Sequence, residues 1–193
     1  NEIIFTAHGI AMIGAGHLAV FVEEEFQAVV EGIGEIRLNY DFILIDAGSG
    51  ISPNAMDLMA VADEVVAVTR AEPTALAGVY ILIKLIVQEA PAYPIHLLLN
   101  MVRDAHQAEQ VRTCIDQILV RFLGYQVGDA GFMVRDARVE QATIRQVPLA
   151  TYAPRSQAIK CLAAFVEKLV PTPPELQALG WMQRLVRRIT HRS

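Results

Sequence analysis

The stretch that decides the fold is Tyr40-Asp41-Phe42-Ile43-Leu44-Ile45-Asp46-Ala47-Gly48-Ser49-Gly50-Ile51. Its four apolar residues, 42–45, end at Asp46 and are followed by a loop that contains two glycines. A short apolar run bounded by turn residues predicts a buried β-strand. Such a strand would hold the Asp46 carboxylate at the point where the strand ends.

The same pattern, an apolar run followed by a polar residue, recurs three times further along the chain. We predict strands at 65–68, 95–99 and within 126–134, followed by Thr69, Asn100 and Asp136. Two short strands, at 3–7 and 10–13, and a helix from Leu18 come before them. Helical periodicity predicts further helices at about 54–62, 74–89, 107–123, 138–146 and 155–169, with Thr74 as an N-cap.

Apolar strands that alternate with helices predict an α/β fold, with a mostly parallel sheet flanked by helices. Ligands of such sheets bind outside the carboxyl ends of the strands. We therefore expect Asp46, Thr69, Asn100 and Asp136 to converge on one edge of the sheet.

Asp46 has the position of a Walker B carboxylate, at the end of an apolar strand and before a glycine-containing loop. A carboxylate at this position can hold the water shell of Mg²⁺ beside a triphosphate. Gly50 would let the following loop approach the γ-phosphate and act as a switch. We therefore take Asp46 and Gly50 as candidate catalytic residues and Asp46 as a candidate Mg²⁺ site acting through water.

Composition and charge divide the 193 residues into three parts, predicted as a domain at 1–170, a proline-rich linker at 171–179 and a basic helix at 180–193. The net charge is −5, but the segment 176–193 contains four arginines and no acid. The rest therefore has 12 basic against 21 acidic residues. Such an acidic body argues against nonspecific binding of nucleic acid. No apolar run approaches the roughly 18 residues of a membrane span.

Four segments together resemble the MinD/ParA-type P-loop ATPases, and within them the flagellar-number regulators of the FlhG/FleN branch. The first is the Asp46 stretch. The others are Val68-Thr69-Arg70-Ala71-Glu72-Pro73-Thr74-Ala75-Leu76 with Tyr80 and Lys84; Arg121-Phe122-Leu123 with Gly131, Asp136, Val139 and Ala142; and Arg145-Gln146-x-Pro148 with Pro154-x-Ser156. They cover about residues 40–170 in the order and spacing of the family.

The resemblance implies that Asn100 recognises adenine and that the segment around Val134 and Asp136 packs on the base. This sequence departs from the family there, because Met133-Val134-Arg135-Asp136 stands where an Ile-Pro-x-Asp sequence is expected. It also has Gly78 where the family usually has Asp, and Ala71 where it has Pro.

The phosphate-binding loop of the family is not found in this sequence. No Gly-Lys-Ser/Thr occurs, and Gly14-Ala15-Gly16-His17, which opens the predicted helix, has no lysine. The first residue is Asn1, so we expect the loop to precede this sequence and the 193 residues alone to be inactive in hydrolysis. The alternative is a degenerate relative that does not hydrolyse ATP.

The basic tail is predicted to be an amphipathic membrane-binding helix. At helical spacing its apolar face would contain Trp181, Met182, Leu185, Val186 and Ile189, and its basic face Arg184, Arg187 and Arg188. This pattern is typical of a helix that lies on anionic lipid. The alternatives are a helix that packs back on the domain and a solvated end of the chain.

The resemblance implies a cytoplasmic protein, peripheral on the inner face of the cell membrane, that uses ATP and Mg²⁺ and dimerises with ATP. It also implies regulation of flagellar number or placement, with a flagellar SRP-type GTPase, a flagellar transcription activator or switch proteins as partners. The alternatives are a ParA-type partition ATPase, for which the acidic body makes DNA an unexpected partner, and an interaction module without nucleotide chemistry.

Overall fold

The structure is a computed structural model that describes residues 3–5, 11–13 and 23–169. The chain divides into two units, Asn1–Ala62 and Asp63–Ser193. The predicted linker and basic tail, from residue 171 onward, lie outside the described residues. Within the described ranges, no helix has both the length and the apolar character needed to cross a membrane.

The first unit contains a small antiparallel sheet and two helices. Strand β1 (Ile3–Phe5) pairs with β2 (Ala11–Ile13), as the two short apolar runs predict. Helix α1 (Glu23–Ile36) and helix α2 (Pro53–Ala60) follow. Helix α2 starts after Ser52, whose Oγ accepts a hydrogen bond from the Ala55 N–H at 3.1 Å.

The strand predicted at 42–45 is wrong. Residues 40–52 form no strand, and Phe42 and Leu44 are 58% and 95% exposed. A strand exists only where a neighbouring strand takes up its backbone N–H and C=O groups. Among the described residues, no strand is paired with this segment. The apolar run therefore specified a tendency to form a strand, but not the partner that a strand requires.

The second unit is built on a parallel sheet in the order β3-β4-β5. These strands are β3 (Val65–Arg70), β4 (Ile95–Val102) and β5 (Gly128–Val134). The helices are α3 (Pro73–Glu89), α4 (Ala105–Leu123), α5 (Ala137–Ile144), the short α6 (Leu149–Tyr152) and α7 (Gln157–Leu169). The structure thus confirms the three later strands and the α/β class.

The core follows from the alternation of apolar residues along the strands. Ile95, Leu97 and Leu99 of β4 are buried, while the residues between them are half-buried. Helix α3 packs on β3, α4 packs on β4 and α7 packs on β5. Ile83 of α3 and Leu119 of α4 are fully buried.

Helix α3 starts one residue earlier than predicted. Thr74 was the expected N-cap, but Glu72 occupies that position and Pro73 is the first helical residue. Proline suits this position because its fixed φ matches a helix and its missing N–H would have no intrahelical partner there. Helix α4 is capped by Asp104, which accepts from the Gln107 N–H at 2.8 Å, and ends at Gly124 with φ of 62°.

Arg112 ties α4 to the beginning of β5. Its Nη2 donates to the Val127 carbonyl at 2.8 Å and its Nη1 to the Gly128 carbonyl at 3.1 Å, while its Nε pairs with Asp116 at 2.6 Å. Asp129 extends this network, because it pairs with Arg112 at 3.4 Å and with Lys168 of α7. One set of charges thus joins α4, β5 and α7.

Gly128→Ala should destabilise the protein, because β5 passes too close to His96 for a side chain at this position. An added Cβ would lie 2.3 Å from His96 Nδ1, and His96 Nε2 is in turn 3.3 Å from Glu64 Oε2. We expect a loss of about 1–3 kcal/mol in the free energy of unfolding, measured by urea denaturation.

Gly78→Ala is the matched control. Its Cβ would meet no described atom within 4 Å, and Gly78 lies in α3. We expect it to raise the free energy of unfolding by roughly 0.5–1 kcal/mol, because alanine loses less backbone entropy in a helix. Equal effects of the two substitutions would contradict the proposed close approach at Gly128.

Asp129 should make stability depend on acid pH. Its partial burial would raise the pKa, but the hydrogen bonds from Lys168 and the Gly131 N–H and the charges of Lys168 and Arg112 hold the pKa below its ordinary value. The stabilisation is therefore present above about pH 4, the ordinary carboxyl range, and is lost as the pH falls through the depressed folded pKa. Its size is below about 1 kcal/mol, because the side chain is 54% exposed.

The measurement is the free energy of unfolding of wild type and Asp129→Asn between pH 7 and pH 2. We expect the difference between them to shrink as the pH falls. Glu109→Gln, which removes an exposed carboxylate of α4, is the control and should follow the wild-type curve. A wild-type and an Asp129→Asn curve that stay parallel would refute the ion-pair contribution.

Candidate functional site

The loop that carries Asp46 has a defined local geometry although it follows no strand. Asp46 Oδ1 accepts a hydrogen bond from the Gly48 N–H at 3.1 Å, which forms an Asx-turn. Gly48 and Gly50 have φ of 75° and 87°, in the region that favours glycine. The loop then enters α2 through the Ser52 cap. The one hydrogen bond of the Asx-turn therefore fixes Asp46 relative to Gly48.

Asp46 is exposed, and its Oδ2 accepts no hydrogen bond from the described residues. An exposed carboxylate with an available oxygen fits the water shell of a magnesium ion. Gly50 has open space around its Cα, because an added Cβ would meet no described atom within 4 Å. The loop thus fits the roles predicted for both residues, which stay predictions.

Asn100 lies inside β4, at a bulge. Leu99 pairs with Phe132 and Val102 pairs with Val134, so β4 has one residue more than β5 between these two pairs. The next residue, Met101, has a φ of 58°. Bulges and left-handed non-glycine residues are frequent beside functional sites, because they re-aim a side chain.

The bulge leaves half of the Asn100 amide available to a ligand. Asn100 Oδ1 accepts from the Met101 N–H at 2.8 Å, whereas Nδ2 has no acceptor among the described residues. A free amide N–H can donate to a ring nitrogen, which adenine offers. The prediction that Asn100 recognises adenine is therefore chemically possible, although no observation tests it.

Asp136 has a structural task that the sequence did not reveal. Its Oδ1 accepts from the Arg138 N–H at 3.0 Å and from Arg138 Nε at 2.9 Å, and its Oδ2 accepts from the Ala158 N–H at 3.3 Å. Asp136 thus caps α5 and also contacts the first turn of α7. Its side chain is only 5% exposed. Desolvation would raise its pKa, but the hydrogen bonds from Arg138 and Ala158 keep the pKa below its ordinary value.

Three of the four polar residues expected to converge, Thr69, Asn100 and Asp136, lie in the second unit. Thr69 is 5% exposed and its Oγ1 donates to the Ala75 carbonyl at 3.0 Å, so it ties β3 to α3. Val134 ends β5, whereas Asn100 lies inside β4, two residues before its end, and does not follow the strand as predicted. Asp46 belongs to the other unit, Asn1–Ala62. Thr69 and Asp136 therefore hold the fold together, which leaves Asn100 as the accessible polar group of the predicted set in the second unit.

Three arginines that the sequence analysis did not single out lie at this carboxyl edge. Arg70 ends β3, Arg103 follows β4 and Arg135 follows β5. All three line a cleft of about 170 Å³. The sequence contains an arginine within four residues after each of three predicted strands, but the three arginines can be grouped only once the strands are known to be adjacent.

The predicted membrane-binding residues, from Trp181 to Ile189, lie outside the described residues. The Gly14-Ala15-Gly16-His17 sequence also lies outside them. The membrane-binding role therefore stays a prediction from the sequence.

Comparison with known proteins places this chain in a family. Residues 3–168 match the family described as cellulose biosynthesis protein BcsQ. The antiactivator FleN of Pseudomonas aeruginosa is 24% identical over 161 residues, which are 83% of this chain and 58% of FleN. The chain thus spans somewhat more than half the length of this relative.

Solved structures show the same fold. The septum site-determining protein MinD from Pyrococcus horikoshii, complexed with Mg-ADP, superposes with a TM-score of 0.62 at 20% identity, covering 83% of this chain and 65% of MinD. A ParA-family ATPase from Chlorobium tepidum superposes with a TM-score of 0.61 at 19% identity, covering 88% of this chain and 67% of the ATPase. The chain therefore belongs to the family described as cellulose biosynthesis protein BcsQ, is similar to FleN, and has the fold of MinD and of the ParA-family ATPase.

Proposed function

We propose that this chain forms part of a MinD-type ATPase that cycles between cytoplasm and membrane and regulates flagellar number or placement. The observation that carries the proposal is the Asp46 loop, in which an exposed carboxylate is followed by two glycines with positive φ. The similarity to the antiactivator FleN over 83% of the chain supports the flagellar role.

The residues of this chain fit some of the contacts that ATP and Mg²⁺ require. Asp46 offers a carboxylate oxygen for the water shell of Mg²⁺, and Asn100 offers an amide N–H for adenine. These 193 residues contain no Gly-Lys-Ser/Thr sequence to hold the phosphates. Bound ATP would supply the γ-phosphate that Gly50 and its neighbours sense. The MinD relative bound to Mg-ADP supports this use of nucleotide and metal.

The proposed cycle includes a homodimer formed with ATP, attachment to the inner face of the cell membrane through 180–193, and release after hydrolysis. Two tails on one dimer would bind more tightly than one, because the second attaches at high effective concentration. The flagellar partners proposed are an SRP-type GTPase, a transcription activator and switch proteins. The name of FleN, an antiactivator, supports the activator in particular.

A second candidate function is a role in cellulose biosynthesis, which the description of the matched family favours. The same ATPase cycle would then serve a different cellular target. Flagellar counts and cellulose staining in a strain that lacks the gene separate the two roles. Altered flagella with normal cellulose supports the first, and the reverse supports the second.

Asp46→Asn should abolish most ATP turnover in the longest protein that the gene encodes around this chain. The amide keeps an oxygen to accept from the Gly48 N–H, so the loop keeps its turn, but the charge that orders the Mg²⁺ water shell is lost. We expect a reduction of about 10- to 100-fold in Mg²⁺-dependent hydrolysis.

Asp57→Asn, an exposed aspartate of α2, is the matched control and should hydrolyse ATP like wild type. Equal turnover of wild type and Asp46→Asn would remove Asp46 from the site. Absence of nucleotide binding in the wild-type protein would support the interaction module instead.

The tail prediction is tested with liposomes that contain anionic lipid. Leu185→Glu and Ile189→Glu each place a charge on the predicted apolar face, whereas Gln183→Glu adds the same charge off that face. We expect the first two to lose liposome binding and the third to keep most of it. Each basic residue contributes about 1 kcal/mol near such a surface, so added salt should also weaken binding. Binding that is equal in all variants would show that the tail is not the anchor.

A further inference from the structure

We draw no further inference here: the strongest candidate, the apolar groove of about 370 Å³ that residues of α3 and α4 line, among them Ile81 and Ile118, carries no proposal because nothing in the structure shows what covers it.

Discussion

The central strand β4 is the constraint on which the second unit depends. It is paired on both sides, by β3 and by β5, and its buried residues Ile95, Leu97 and Leu99 form the middle of the core. Because all three strands are parallel, their carboxyl ends meet at one edge. The bulge after Leu99 interrupts the ladder at that edge. Asn100, whose Oδ1 accepts from the Met101 N–H, lies at this interruption.

Acidic and basic side chains of the second unit have different tasks. Asp129 pairs with Arg112 and Lys168, and Asp136 caps α5 and contacts α7, so these carboxylates stabilise the packing of helices on the sheet. Arg103 and Arg135, in contrast, take no part in an ion pair among the described residues.

Family membership rests on the match to the family, whereas function has to be argued from the geometry of the site. The match to the BcsQ family over residues 3–168 and the superposition on MinD establish the ancestry and the fold. One fold of this kind serves many functions, so the biological role has to be argued from the site. The Asp46 loop is the chemical argument for an ATPase, since it presents a carboxylate and two glycines in a turn formed by local hydrogen bonds.

The sequence by itself determined the helices other than the short α6, the strands β3 to β5 and the α/β class, because apolar periodicity is a local property of the chain. This prediction did not need the resemblance to the MinD/ParA-type ATPases, with which the superposition on MinD agrees. Tertiary structure decided the rest. Residues 42–45 form no strand because a strand needs a partner, and Asp136 is buried because α7 supplies the Ala158 N–H from 22 residues away. The cleft of Arg70, Arg103 and Arg135 exists only because hydrogen bonding places three distant strand ends side by side.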